Sequence, residues 1–201
     1  MERFSIFIKS NKIRINIDLL IPIIFFFLAS ILYLCSYLNI DVDNKMNKPI
    51  AYFMFGILAF AVIRKFYMIG KPEKLNGILN GFLEFQNDFI VIDDKKIDLS
   101  MIKTISIYNG DYFGKSVVGN TYASDFSNGV DNQLIIILNN GTETTTYFQL
   151  YNKYDMGKIQ DILIYYHTIG KISFKNLSNV LKLSKSESLE LENSLKENHL
   201  L

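Results

Sequence analysis

The sequence predicts an α+β protein: an N-terminal transmembrane helical hairpin, then an antiparallel β domain capped by one α-helix, then a short helical tail. Three observations carry this. Two long apolar stretches, Leu19 to Leu38 and Ile50 to Ile69, flank a short polar turn. From Leu75 onward apolar residues recur at alternate positions between turn-forming residues, the period of half-buried strands. Beyond Leu150 the period becomes that of an amphipathic helix. In this 201-residue chain the boundaries fall at 1–74 for the hairpin, 75–170 for the β domain with its helix, and 171–201 for the tail.

The first stretch holds no charged residue over twenty positions, which at about 1.5 Å per residue covers the ~30 Å hydrocarbon core of a bilayer. Pro22 is expected in its first turn, where no intrahelical N–H bond is lost. A signal peptide fits less well, because the run exceeds a usual h-region and no A-x-A site follows. Leu34, immediately before Cys35, also stands where a lipoprotein site needs a small residue. The second stretch is interrupted by Arg64 and Lys65, whose charges reach the headgroups while Phe66 to Ile69 continue the apolar surface. Arg3, Lys9, Lys12 and Arg14 precede the first span and Arg64, Lys65, Lys71 and Lys74 close the second. Between the spans only Lys45 and Lys48 occur, offset by Asp41 and Asp43. That bias predicts two cytoplasmic termini. With a composition rich in Ile, Lys and Asn, it places the chain in a bacterial inner (cytoplasmic) membrane with two spans. Arg14, Tyr33, Tyr37, Tyr52, Arg64 and Lys65 are the expected contacts with membrane lipids at the interface. Neither span carries Asp, Glu, His or Arg near its centre, so transport and channel readings lack their usual residues. Gly56 with Ala59 is expected to let the two helices approach closely.

Within Met1 to Asp18, Phe4, Ile6 and Ile8, then Ile13, Ile15 and Ile17, alternate with mostly polar neighbours. The pattern fits a strand that pairs with the later domain or a basic flank beside the first span; the flank is the preferred reading. Gly70, Lys71 and Pro72 end the second span. Leu79, Gly81, Leu83 and Phe85 then share a strand face, Gln86 to Asp88 turn the chain, and Phe89 to Ile92 return. A further turn at Asp93 to Lys96 leads to a third strand with Ile105 and Ile107 inward and Thr104, Ser106 and Tyr108 outward. Asn109 to Asn132 is a long Gly-, Asn- and Ser-rich connection, of a length that is usually functional or mobile. Gln133 to Leu138 and Thr144 to Leu150 form a hairpin about Asn139, Asn140 and Gly141, with Thr146, Phe148 and Leu150 on one face. Five strands are expected, six or seven if the long connection contributes. Asn152 is the expected cap of a helix with Met156, Ile159, Leu163 and Tyr166 on its apolar face and Gly170 at its end. Phe174 to Leu181 suggest a short second helix, and Ser184 with Glu187 is a capping box for a third. The tail packs on the sheet, binds a partner as a helical hairpin, or mimics a DNA-binding helix pair; Glu187, Glu190, Glu192 and Glu197 argue against the last.

The segments GILNGFLEF (Gly77 to Phe85), IDLSMIKTISI (Ile97 to Ile107), NGVDNQLIIIL (Asn128 to Leu138) and YFQL (from Tyr147) precede one helix. In this pattern the chain resembles bacterial two-span membrane proteins with a C-terminal pleckstrin-homology-like (PH-like) domain. The ending GKISFKNLSNVLKLS (Gly170 to Ser184) is similar to that of a set of bacterial proteins of comparable length. The resemblance implies a bent barrel or sandwich closed at one end by the helix and used for binding and assembly. Phosphoinositide recognition in eukaryotic relatives uses basic residues at the first hairpin; Gln86, Asn87 and Asp88 stand there, so it is not carried over.

No chemistry rises above this scaffold. A net charge of +1 gives no field to gather nucleic acid. The one cysteine excludes an intramolecular disulfide and any cysteine-built zinc site. GDYFGKS (Gly110 to Ser116) lacks the first P-loop glycine, with Asn109 in its place, and no apolar helix follows. His167 and His199 are too far apart for metal spacing, and His167 suits a helix C-terminus. No catalytic residue, metal, cofactor or small-molecule substrate is expected. The candidate partner-binding loop comprises Asn109, Tyr112, Phe113, Lys115, Tyr122, Phe126, Asn128 and Asn132, acting with an exposed sheet edge. The expected function is a non-enzymatic membrane protein whose cytosolic domain binds a protein partner or its own copies. An immunity protein against an interbacterial toxin, and a lipid-surface sensor or small transporter or pore component, are the alternatives.

Overall fold

The computed structural model describes residues 2–11, 17–37, 44–68, 70–117 and 126–197. The chain divides into two units. One comprises Met1–Ser10, Lys74–Ser116 and Ser127–Leu201; the other comprises Asn11–Glu73 and Val117–Phe126.

The second unit contains a pair of helices, α1 (Ile17–Tyr37) and α2 (Asn44–Met68). Leu20–Tyr37 and Lys48–Met68 are long and apolar enough to cross a membrane, and nothing in either window is buried by the protein. At about 1.5 Å per residue the two windows measure ~27 and ~31 Å, matched to the hydrocarbon core. The Ser30 hydroxyl returns its proton to Phe26 O at 2.7 Å, which satisfies it inside an apolar helix. Two expectations change here. Pro22 lies within α1, past the first turn, because the helix begins at Ile17. Gly56 has open space where a side chain would stand, so it marks no close helix crossing.

The first unit is built on a seven-stranded antiparallel sheet. Its strands are β1 (Arg3–Lys9), β2 (Gly77–Phe85), β3 (Phe89–Ile92), β4 (Lys95–Asp98), β5 (Ile102–Tyr108), β8 (Asn132–Leu138) and β9 (Glu143–Phe148), in the order β4-β3-β2-β1-β9-β8-β5. Two short strands of the long connection, β6 (Phe113–Ser116) and β7 (Phe126–Asn128), form a ribbon of their own. The flank expected at the N-terminus is thus strand β1, hydrogen-bonded between β2 and β9. Its alternating Phe4 and Ile6 point into the core, and no local signal names partners some seventy and one hundred and forty residues away. The β unit is therefore discontinuous in sequence, with the helical pair inserted between its first and second strands. The turn expected at Asp93 to Lys96 is confined to Asp93 and Asp94, and Lys95 already belongs to β4.

Phe4 sits at the centre of the core, its ring edge-on to Phe85 (6.1 Å) and Phe148 (5.8 Å), joining three strands. Around it Leu83, Ile90, Ile102, Ile105, Ile107, Leu134, Ile136 and Leu150 close the inner face. The helix that covers this face starts as a 3-10 turn at Asp155–Ile159 and continues as α3 (Gln160–Thr168); Met156, Ile159, Leu163 and Tyr166 are its buried stripe. Asn152 does not cap it. Instead, the Asp155 carboxylate accepts the N–H groups of Tyr151 (2.9 Å) and Asn152 (2.7 Å). Burial pushes that carboxyl upward, but the Lys158 ammonium and these two N–H groups outweigh it and hold the group below its ordinary range. Tyr166 donates its hydroxyl to Gln86 O at 2.6 Å, tying α3 to the β2–β3 turn.

The tail takes the first of its three expected forms. In α4 (Phe174–Leu181), capped by Ser173, Leu177, Val180 and Leu181 join the core. Helix α5 (Lys185–Glu197) opens on the expected capping box: Ser184 N–H donates to Glu187 Oε2 at 2.7 Å, and Glu187 N–H to Ser184 Oγ at 3.3 Å.

Candidate functional site

A sheet edge exposes unpaired backbone groups, so the two outer strands are the first place to look for recognition. The edge of β5 is taken. Asn176 accepts Ile107 N–H (2.9 Å) and donates to Ile107 O (2.8 Å), copying a strand partner with one amide side chain. Ile105 N–H donates to Lys171 O at 2.7 Å, and the Lys171 ammonium donates to Ile102 O. The other edge, β4, is four residues long with Lys95, Lys96 and Asp98 exposed. A short charged edge discourages strand addition.

The connection between β5 and β8 is anchored at both ends by buried amides. Asn109 donates to Val180 O (2.7 Å) and accepts the Lys182 ammonium (2.9 Å). Asn132, fully buried, donates to Gly129 O (2.8 Å) and Phe148 O (3.2 Å) and accepts Asp111 N–H (3.0 Å). The Asp111 carboxylate takes the Ser127 hydroxyl (2.7 Å) and Asp131 N–H (3.1 Å). Gly129 has φ +71, and a Cβ there would overlap Leu150 O, Phe113 N and Tyr112 C, so only glycine lets the three segments cross. Leu150 N–H donates to Gly129 O (2.9 Å) and Phe113 N–H to Leu150 O (2.8 Å) at this crossing.

Of the residues expected to meet a partner, Asn109, Asn128 and Asn132 are buried scaffold, and Tyr112 packs against the core. Phe126 is half-buried in β7, and Tyr122 lies outside the described residues. Lys115 is half-buried, and Phe113 faces outward. Phe113 is 45 % exposed and pairs with the 66 % exposed Tyr151 at 6.2 Å between ring centroids. Tyr154, also exposed, carries the Lys153 ammonium 5.3 Å from its ring centroid. The Lys115 ammonium donates to Gly110 O at 2.6 Å, one residue from the Asn109 amide that Lys182 holds.

Phe113, Lys115, Tyr151, Lys153, Tyr154 and Lys182 thus make a basic and aromatic surface where three chain segments meet. Lys182 has φ 58 at the C-terminus of α4, a left-handed position that glycine or asparagine usually fills. Burial, then the neighbouring ammoniums of Lys153 and Lys115, hold its own below the ordinary lysine range. Among the described residues none of the three lysines has a carboxylate partner. Sequence reasoning missed Tyr151, Lys153, Tyr154 and Lys182 because they stand in other segments, up to 73 positions from Asn109.

No protein family, no curated protein and no solved structure matches this chain. Its chemistry has to be read from its own side chains. Among the described residues no group of three His, Cys, Asp or Glu is placed to hold a metal ion. His167 rests by Nδ1 on Ile172 O (2.9 Å) and against the Phe174 ring (5.5 Å), in the last turn of α3. It lies at the helix C-terminus, as expected, but its Nδ1 pairs with a carbonyl beyond the helix instead of one in the last turn. Among the described residues its buried Nε2 has no hydrogen-bond partner, and it lies beside an open cleft lined by Thr104, Ser106, Lys171 and Ser173. The six expected membrane-interface residues divide likewise: Tyr33, Tyr37, Tyr52 and Lys65 are exposed on their helices, Arg64 is half-buried, and Arg14 lies outside the described residues.

Proposed function

We propose that this chain is a non-enzymatic, two-span membrane protein whose PH-like domain binds a protein partner through Phe113, Lys115, Tyr151, Lys153, Tyr154 and Lys182. The observation that carries this is the exposed Phe113–Tyr151 ring pair beside three ammonium groups that have no carboxylate partner among the described residues. Such a surface suits a partner that offers carboxylates around an apolar anchor. Buried aromatics supply affinity in such contacts, while complementary charge supplies orientation and on-rate. The sealed β5 edge and the short charged β4 edge argue against strand addition as the mode of binding.

The antiparallel seven-stranded sheet with a helix packed on its inner face supports the PH-like reading. Strand β1 precedes the helical pair and β2 follows it, and the two are hydrogen-bonded. When α1 and α2 each cross a bilayer once, that pairing requires both of their outer ends on one side. The basic residues Arg3, Lys9, Lys71 and Lys74 favour the cytoplasmic side of a bacterial inner membrane.

The test is photocrosslinking from position 151 in the full-length protein in its native membrane. A discrete adduct is expected from Tyr151 replaced by a benzophenone amino acid, lost on Lys153→Glu, and absent from the same probe at exposed Leu189. An adduct indifferent to Lys153→Glu, or no adduct at all, would falsify the assignment. A secreted toxin in the adduct would make the chain an immunity protein.

A further inference from the structure

The inner face of the β1–β2 pair does not stop where the core stops. Phe4 lies opposite Leu83 on that face, both buried. One bulge later, where Ser5 pairs with Phe82 and Phe7 with Leu79 and Gly81 takes φ +78, Ile8 lies opposite Ile78. Neither belongs to the core; they are 48 % and 60 % exposed. Leu79, on the opposite face beside them, is exposed as well. Gly77 has no side chain because Phe7's ring and Ile8 O fill the space, so the two strands stay close to their very ends. Ser10 N–H then donates to Asn76 O at 2.9 Å. The chain leaves the sheet for α1 and returns from α2 at this end, and on the returning connector Glu73 N–H donates to Phe126 O at 2.9 Å. Exposed Lys9, 5.9 Å from the Tyr147 ring centroid, and exposed Lys74 flank it.

We propose that this end of the sheet, with Ile8, Ile78 and Leu79, is a lipid-contacting tip that enters the interface of the bilayer. The proposal rests on the two-span reading above. The connectors are short: six residues, 11–16, separate Ser10 from α1, and eight, 69–76, separate α2 from β2. At no more than ~3.3–3.6 Å per residue, they keep a bilayer that holds the helices within reach of the tip. Apolar side chains paired across two strands, rimmed by ammonium groups, match the interface of an anionic membrane, where lysines meet lipid phosphates and aliphatic groups meet the upper acyl chain. The binding surface of the preceding section lies at the other end of β1, since Gln149 N–H donates to Ser5 O and Lys158 pairs with Glu2.

The chain contains no tryptophan, so a single substitution gives a single fluorophore. Full-length Ile78→Trp, Phe55→Trp (in α2) and Tyr151→Trp proteins are reconstituted into phosphatidylcholine–phosphatidylglycerol vesicles, with and without lipids brominated near the top of the acyl chain. Ile78→Trp is expected to emit at shorter wavelength than Tyr151→Trp and to lose intensity to the brominated lipid; Tyr151→Trp is expected to lose intensity only to aqueous iodide. Ile8→Trp repeats the measurement from the paired strand, so the result does not hang on the folding of one variant. Quenching of Phe55→Trp without quenching at positions 78 and 8 would overturn the tip and leave the spans standing. No lipid quenching at position 55 either would overturn both. Shielding of position 78 from lipid and iodide alike would mean that protein covers it, and would overturn the tip.

Discussion

Replacing Phe4 by alanine separates two accounts of the first ten residues. A basic flank beside a membrane helix has no tertiary role, and substitution in it changes stability within about 0.5 kcal/mol. A central strand behaves differently. Phe4 is 4 % exposed and meets Phe85 and Phe148 edge-on at 6.1 and 5.8 Å. Truncating such a side chain costs about 3–5 kcal/mol, including ~0.5–1.5 kcal/mol for each aromatic pair. For a domain of this size that corresponds to about 10–20 °C in melting temperature. The assay is thermal unfolding of full-length protein in detergent, followed by near-ultraviolet circular dichroism, which reports the packing of tyrosine and phenylalanine rings. Ile8→Ala, in the same strand but half exposed, is the control and should cost less than about 1 kcal/mol. A Phe4→Ala protein that melts with the wild type would refute the insertion of β1 between β2 and β9.

Asp155 has a carboxyl held below its ordinary range in the folded state, so its contribution is present above its unfolded value of about 3.9 and lost as pH falls through the lower folded value. Asp155→Asn should cost ~1–3 kcal/mol at pH 7 and flatten the acid limb of the stability profile, measured by urea unfolding between pH 2 and pH 7. Asn132→Asp places a carboxylate against Gly129 O and Phe148 O in a buried site, which raises its folded value. Its stability is therefore greatest below about pH 3.9 and falls as pH rises through the folded value, whereas Asn132→Ala should be equally destabilised, by ~2–4 kcal/mol, at pH 4 and pH 7. Asn176→Ala frees the N–H and C=O of Ile107 on β5; a loss of ~1–3 kcal/mol and concentration-dependent self-association in light scattering are expected, and an unchanged monomer would contradict the sealed-edge reading.

What was legible in the sequence was local. Twenty uncharged residues, the alternation through Ile105 and Ile107, the Asn139–Gly141 turn, the helical stripe of Met156, Ile159, Leu163 and Tyr166, and the Ser184–Glu187 box each involve neighbours that the chain itself brings together. What escaped was set at long range. Phe4 and Ile6 carry the alternation of a strand, but their partners are fixed only when the sheet forms. The basic surface escaped for the same reason: Lys182 reaches Asn109 because α4 packs beside β5, a contact made by Leu177 and Val180 in the core and by Asn176 at the edge. The long connection looked like one loop because its Asn, Ser and Asp residues favour turns. In the fold those same residues serve as buried hydrogen-bonding scaffold, and among the described residues Phe113 alone of the expected contacts is exposed.

The proposed two-span reading makes one demand that can be measured directly: the N-terminal strand and the β9–α3 connection share a side of the membrane, and the segment between the spans does not. Single cysteines at Glu2, Asn44 and Tyr151, in a Cys35→Ser background, are labelled with a membrane-impermeant maleimide in sealed right-side-out and inverted vesicles. Positions 2 and 151 are expected to label from the same side, the cytoplasmic one, and position 44 from the other. Labelling of positions 2 and 151 from opposite sides, or of all three from one side, would contradict the account.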